Sequence, residues 1–242
     1  MATFNGVSYL QEQVTSILLQ LGVNDELVVV DDRSEDGTVA FLKSLGDSRI
    51  FVYLNEVNVG HVQSFARAIG LATHPYILMS DQDDIWIDGR LNIMRDFLAA
   101  GYQLVSSNSI FIDGEGYRIS ALHPDILEDK SFHYIRNVIR IFSGKASYYG
   151  CAMGLRSEIR RLILPIPSYV ESHDLWIALA ANLLRSNYHL GLPTLRRRIH
   201  GGNVSVLNRP LLPRMYSRLV FFRSLLHIVL RLCLMRFAQH EK

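Results

Sequence analysis

Two short apolar runs in this chain end on clusters of carboxylates, and that pairing limits the folds open to it. Glu26-Leu27-Val28-Val29-Val30 runs into Asp31-Asp32, and Tyr76-Ile77-Leu78-Met79 runs into Ser80-Asp81-Gln82-Asp83-Asp84-Ile85-Trp86. Runs of this kind read as strands buried on both faces, the habit of parallel sheets covered by helices. Near them the spacing is helical, as at Leu10, Val14, Ile17, Leu18 and Leu21. Strand alternating with helix predicts an α/β fold, a mostly parallel sheet with crossover helices.

The same pattern predicts strands over 50–54, 102–112 and 193–200. It predicts helices over 35–45 with Ser34 as cap, and over 62–72, 90–100, 159–164 and 174–184. Segment 114–147 reads as an irregular insert. With 242 residues and 49% apolar content the chain can bury a substantial core. A net charge of +2 argues against a dedicated nucleic-acid binder. Cys151 and Cys233 show no Cys-x-x-Cys spacing, so neither a disulfide framework nor a zinc site is expected, and a cytoplasmic location is the default. No leader sequence or run of about 18 apolar residues is visible, so no spanning helix is expected.

Clustered carboxylates raise one another's pKa unless a cation or donor network offsets them. Mg2+ or Mn2+ suits such oxygen ligands, particularly beside substrate phosphates. A solvated turn or helix cap is the plainer use of Asp. Two strand ends aiming acids at one crevice weigh against it, because ligands of open parallel sheets bind beyond the carboxyl ends of the strands.

Taken together, several segments resemble the family 2 glycosyltransferases in order and spacing. They are Ala2-Thr3-Phe4-Asn5-Gly6, Val30-Asp31-Asp32-Arg33-Ser34-Glu35-Asp36-Gly37-Thr38, Asn58-Val59-Gly60 and Ser80-Asp81-Gln82-Asp83-Asp84-Ile85-Trp86. The Asp-Gln-Asp-Asp-Ile-Trp form looks most like the rhamnosyltransferase-like branch. His173-Asp174-Leu175-Trp176 and Arg198-Ile199-His200-Gly201-Gly202-Asn203-Val204-Ser205 are similar to its later motifs. The resemblance covers residues 1–206 and leaves 207–242 as a basic amphipathic helical tail.

The resemblance implies a GT-A fold, a Rossmann-like sheet flanked by helices, with C-terminal amphipathic helices. It implies an inverting, metal-dependent transfer from a nucleoside-diphosphate sugar, dTDP-rhamnose or a UDP-sugar, to a saccharide or lipid-linked acceptor in cell-surface polysaccharide synthesis. Carried over residue by residue, Asp32 would meet the pyrimidine and Asp81 the ribose, with Thr3, Phe4 and Asn5 beside them. Asp83 and His200 would hold the metal, and Arg198 the donor phosphates. Asp174 would be the base, and Gly150, Cys151 and Trp176 would face the acceptor. Read as chemistry alone, Cys151 is a small buried hydrophobe and Trp176 a core residue.

One departure stands out. Family members carry an apolar strand before the Thr-Phe-Asn position, whereas this chain begins at Met1. Either the start of the protein lies upstream or the first strand is truncated, and in the second case unpaired backbone groups inside the sheet would cost about 1–3 kcal/mol each. That favours a competing reading, a catalytically impaired nucleotide-sugar-binding or membrane-associated scaffold. A nucleotidyltransferase would call for a Gly-rich, Lys/Arg-bearing phosphate loop, which is not seen.

From Leu211 to Ala238, Arg214, Arg218, Arg223, His227, Arg231 and Arg236 recur every four or five residues. That spacing predicts one basic stripe on an apolar helix. Such a helix either lies peripherally on the cytoplasmic face of the inner membrane or packs on the catalytic domain.

Overall fold

A computed structural model describes residues 1–121, 124–201 and 211–240. In chain order the elements are β1 (Ala2–Thr3), α1 (Val7–Leu18), β2 (Leu27–Asp31), α2 (Thr38–Ser44), β3 (Ile50–Leu54), α3 (His61–Leu71), β4 (Tyr76–Leu78) and β5 (Ile85–Trp86). There follow α4 (Arg90–Ala99), β6 (Leu104–Ile112), α5 (Tyr134–Ser143), β7 (Met153–Arg156), α6 (Arg160–Ile163), α7 (His173–Leu183), β8 (Asn187–Arg198) and α8 (Leu211–His240).

β1, β2 and β3 form a parallel sheet in that order, and the second sheet runs β4-β7-β6-β8-β5. In the second sheet β6 and β8 are parallel, while β7 is antiparallel to β4 and β6, and β5 antiparallel to β8. The expected α/β fold is what the chain adopts. β2 and β4 carry their acidic segments at their carboxyl ends.

The first strand is indeed short, pairing with β2 only at Ala2–Val30 and Thr3–Asp31. Hydrogen bonds do not join β1 to β4, and a cavity of about 100 Å3 beside Met1 is lined by Val28, Phe65, Ile69 and Leu78 together with Asp25, Glu26, His74 and Ser80. The Met1 amine donates to Val28 O at 2.8 Å, and burial pushes its pKa down to about 5. Ala2 and Thr3 are present where the site needs them, level with the end of β2.

Three expectations need correction. Segment 114–147 is not simply irregular: α5 packs against α7, because Ile141 and Val138 give it an apolar face on the main core. The last strand is not the short 193–200 segment but the twelve residues of β8, which pair along β6 from Leu104 to Ile112. The arginines of α8 do not form one stripe, because the helix is apolar on two opposite faces. Phe221, Leu225, Ile228, Leu232 and Met235 enter the main core. Met215, Leu219, Phe222, Leu226, Leu230 and Leu234 stay exposed.

That core is built around α7, whose Trp176, Ile177, Leu179 and Ala180 are buried, with Met153 and Leu155 of β7 against it. A helix apolar on nearly every side suits this position between sheet and outer helices. Its N-terminus, bearing His173 and Asp174, thereby reaches the carboxyl edge of the sheet.

Candidate active site

The carboxyl edge of the first sheet carries a shelf of three loops tied to one another by side chains. Asp31, ending β2, accepts from Thr3 Oγ1 at 2.9 Å, Ser34 N at 2.8 Å and Ser34 Oγ at 2.6 Å. Ser34 thus serves this turn rather than capping a helix from 35, and α2 starts at Thr38. Asn5, held at a φ of 48°, accepts from Glu35 N on Oδ1 and donates its own N–H to Ser34 Oγ, both at 2.8 Å. Phe4 N donates to Gln82 Oε1 at 2.8 Å, and Gln82 Nε2 returns to Phe4 O at 3.0 Å. Gly6 leaves room for this clamp, since a Cβ there would lie 2.2 Å from Gln82 Oε1 as it is placed.

Asp32 lies on the floor of the cleft. Its carboxylate accepts from Asn55 Nδ2 at 2.8 Å, Val59 N at 2.9 Å and Gly60 N at 2.8 Å. It therefore shapes the loop before α3 as well as the pocket. Ala2, Thr3, Phe4, Asp32, Asp81 and Asp83 all line one cavity of about 350 Å3, within the range of small-molecule sites.

The second acidic segment crosses this cavity. Asp84 is buried: Oδ1 accepts from Arg198 N at 2.9 Å, and Oδ2 has no hydrogen-bond partner. Burial first, and then the charge of Asp83, pushes its pKa up to about 6. Asp81 keeps an edge on the cleft, yet desolvation, followed by Asp84 and Asp83, pushes its carboxyl up to about 8. Asp84 caps no helix, because β5 follows it directly and pairs with β8. Asp83 Oδ2 lies 2.8 Å from His200 Nε2.

These residues fit a hard divalent cation. Three carboxylates converge with one buried oxygen unpartnered and two pKa values forced up, which is the signature of positive charge still to be supplied. Asp81, Asp84 and Cys151 each offer an atom within 4.8 Å of the others. Burial, then Asp84 and Asp81, holds the thiol well above its ordinary pKa, so oxygen and imidazole are the ligands to expect.

Other sequence assignments change in kind. Arg198 lines the cavity and is held within the protein as well: Nε donates to Asp83 O at 3.0 Å, Nη1 to Gly114 O at 2.8 Å, and Nη2 pairs with Glu12 at 2.5 Å. It braces the acidic loop against α1. Arg197, passed over in the sequence, lines the cavity with its guanidinium 4.0 Å over the Tyr149 ring; burial works to lower its pKa, but Cys151, Asp81 and Asp84 together raise it. His61, also passed over, lines the cavity, and burial holds its imidazole below its ordinary pKa against the pull of Asp174 and Asp32. Its position at the start of α3 carried no motif.

Asp174 opens α7, accepting on Oδ1 from Leu175 N at 2.7 Å and from Ser172 Oγ. Its charge reaches Asp81 and His61. His173 is buried, stacked on Phe65 at 4.2 Å, and burial pushes its pKa down to about 4. A Cβ on Gly150 would come within 2.4 Å of His173 Nε2, so glycine there is what lets α7 approach the acidic loop. Cys151 is buried beneath the carboxylates, and Trp176 is a core residue whose Nε1 donates to Ile163 O at 3.0 Å. Gly202 to Ser205, the end of the last motif, lie outside the described residues.

The sequence profile described as "Glycosyl transferase family 2" matches residues 1–162. The chain belongs to that family. This family 2 member is 30% identical over 118 residues to the UDP-Glc:alpha-D-GlcNAc-diphosphoundecaprenol beta-1,3-glucosyltransferase WfgD of Escherichia coli, covering 46% of this chain and 47% of WfgD. It is 35% identical over 105 residues to the dTDP-rhamnosyl transferase RfbG of Shigella flexneri, covering 40% of this chain and 36% of RfbG. The crystal structure of S. aureus TarS residues 1–349 in complex with UDP aligns at a TM-score of 0.64 with 18% identity, covering 82% of this chain and 59% of that one. The family 2 chain thus shares the GT-A fold and spans about half the length of WfgD.

Proposed function

We propose that this chain is an inverting, metal-dependent glycosyltransferase of cell-surface polysaccharide synthesis, moving a sugar from a nucleoside-diphosphate donor to a saccharide or lipid-linked acceptor. Residues 1–206 form the catalytic domain and 207–242 an appended helical segment. The observation that carries this reading is the meeting of the Asp31–Asp32 and Asp81–Asp84 strand ends in one cavity, with Asp174 within electrostatic reach of Asp81. RfbG supports dTDP-rhamnose as the donor, and the UDP bound by TarS supports a UDP-sugar as the alternative.

In this reading Thr3, Phe4, Asn5 and Asp32 hold the base end of the donor, and Asp81 the ribose. Asp83 and His200 are the ligands of Mg2+ or Mn2+, which when bound offsets the charge developing on the diphosphate. Arg198 fixes the loop that carries Asp83. Asp174 takes the proton of the acceptor hydroxyl on Oδ2, Oδ1 being occupied by Ser172 and Leu175 N. Gly150 and Cys151 form the floor that brings Asp174 near, and Trp176 fixes α7 from within the core.

No helix among the described residues is long and apolar enough to cross a membrane. The outer face of α8 is placed peripherally on the cytoplasmic leaflet, since residues 211–240 contain arginines and no Asp or Glu. Sedimentation with anionic vesicles tests this, and full retention in the supernatant would refute it.

The catalytic test is release of nucleoside diphosphate from a panel of nucleotide-sugars with Mn2+ or Mg2+. Turnover should vanish on chelation and in Asp83→Ala and Asp174→Ala. Turnover indifferent to both substitutions would overturn the assignment. A thermal-shift panel identifies the donor, because a ligand at 100 times its Kd adds about 2.7 kcal/mol.

A further inference from the structure

Cys151 lies beneath the acidic segment, and the proposed transfer makes no use of its sulfur. With Asp81 and Asp84 it forms a trio whose ligand atoms lie within 4.8 Å of one another, and among the described residues no other three His, Cys, Asp or Glu side chains come so close. Each member is fixed from outside the trio. Gln13 Nε2 donates to Asp81 O at 2.9 Å, Arg198 N to Asp84 Oδ1 at 2.9 Å, and the buried Arg90 to Cys151 O at 2.7 Å. These bonds use the backbone of Asp81 and Cys151 and one oxygen of Asp84. The other oxygen of Asp84, on a side chain only 2% exposed, has no hydrogen bond. An orphaned buried acceptor beside a thiol and a second carboxylate is a donor set suited to a cation.

The sulfur decides which cation. Mg2+ takes oxygen ligands and would leave the thiol protonated, whereas Zn2+ binds thiolate and carboxylate together and keeps a fourth position open when the protein supplies three ligands. On binding, a Zn–S bond forms, the S–H bond breaks and its proton passes to solvent. Bond lengths of about 2.3 Å to sulfur and about 2.1 Å to oxygen ask the three atoms to draw in by roughly 1 Å. That shift is within reach of Asp81, which keeps an edge on the cleft. Charge favours the loaded form as well. A thiolate and two carboxylates around Zn2+ leave one net negative charge, and two buried arginines face it: Asp84 and Cys151 act on Arg90, and both of them with Asp81 act on Arg197.

We infer that Asp81, Asp84 and Cys151 form an inhibitory site for Zn2+ and similar thiophilic divalent cations, separate from the Asp83–His200 pair. Asp81 lines the cavity at the strand ends. Drawn onto a metal beneath the cavity, its carboxylate could no longer turn to a ribose, so loading should oppose nucleotide binding. That consequence rests on the donor reading of Asp81, whereas binding of the cation is measured apart from it.

The test titrates the full chain with Cd2+ under excess Mg2+ in a Cys233→Ser background, which leaves Cys151 as its one thiol. A thiolate-to-cadmium absorption band should appear, and Zn2+ should displace it. Asp84→Asn should need over about 100-fold more Cd2+ to reach the same band, since a directly bound ligand costs more than the roughly 10- to 100-fold typical of an outer partner. Zn2+ affinity, read by competition with a colorimetric chelator, should fall likewise in Cys151→Ser, and a cooperative melting transition reports that each variant is folded. Zn2+ should also weaken UDP binding, an effect that should disappear in Asp84→Asn. Failure of the band to form, or its persistence in Asp84→Asn at unchanged Cd2+, would overturn the inference. So would its removal by Mg2+, since the trio would then belong to the Asp83–His200 site. UDP binding untouched by Zn2+ would refute the inhibition, and failure of UDP to bind without Zn2+ would strike the donor reading while leaving the absorption result standing.

Discussion

The polar shelf at the strand ends and the helical body of α5, α7 and α8 are held together by different physics. On the shelf nearly every fixed position is a side chain bonding to a loop backbone: Asp31 to Ser34 N, Asn5 to Glu35 N, Gln82 to Phe4 N, and Asp32 to Val59 N and Gly60 N. In the helical body α5, α7 and α8 meet through carbon, with a few long cations laid over rings, such as Arg223 over Tyr169 at 3.9 Å. The first arrangement fixes atoms, as needed to orient a charged donor. The second leaves a cavity whose walls tolerate exchange of one apolar group for another.

The sharpest test of that contrast lies at their junction. Asp174→Asn keeps the packing of α7 and a side-chain acceptor for Leu175 N, while removing the base. Turnover should fall by about 10²- to 10⁴-fold with UDP or dTDP affinity unchanged. Steady-state kinetics beside a nucleotide titration reads both, and a matched loss of nucleotide affinity would move Asp174 to the shelf.

The shelf was legible in the sequence because its function needs particular atoms. Asp, Asn, Gly and Gln at set spacings leave a motif, and β2, β3 and the strand ends fell where the apolar runs ended. The helical body left almost none. α5 was hidden in a polar stretch, and α8 showed its arginine spacing without revealing which of its two apolar faces was docked. The role of Arg198 was also not readable: β8 buries Arg197 and Arg198 alike, and only the positions of Glu12, Asp83 and Gly114 decide that Arg198 is a brace. These are long-range contacts, which periodicity does not carry.

Away from the shelf, a buried histidine gives the helical side a pH dependence of its own. His189 sits among Tyr148, Asn187 and Leu127 O, and burial pushes its pKa down to about 4. The unfolded chain has its histidines near about 6.5, so it binds protons first as the pH falls. The stability from this group is complete above that value and declines from pH 6.5 towards 4, by about 3 kcal/mol in all. Denaturant unfolding of wild type and His189→Gln, compared at pH 7.5 and 4.5, isolates it. Their difference should move in favour of the variant at the lower pH, and a constant difference would show that His189 titrates normally.

Gly150→Ala asks whether the junction depends on close approach. The added Cβ lands 2.4 Å from His173 Nε2, and the ring is stacked on Phe65 with little room to turn. Overpacking of this kind costs about 1–3 kcal/mol. It should also push the start of α7 away from the acidic loop, so the melting temperature and turnover should both fall while UDP binding survives. A variant as active as wild type would mean that the placement of Asp174 does not depend on this contact.

The smallest stability effect should come from Gly6→Ala, which is the counterpart on the shelf. Here the obstacle is the far end of Gln82, a side chain that can swing away, so the melting temperature should hardly change. The swing breaks both solvent-exposed hydrogen bonds between Gln82 and Phe4 and frees the Phe4 edge of the cavity. Nucleotide affinity should therefore weaken roughly tenfold with kcat at saturating donor little changed. If stability rather than affinity fell, the loop before α1 would be part of the packed body, and the division between a polar shelf and an apolar helical body would have to be redrawn at Gly6.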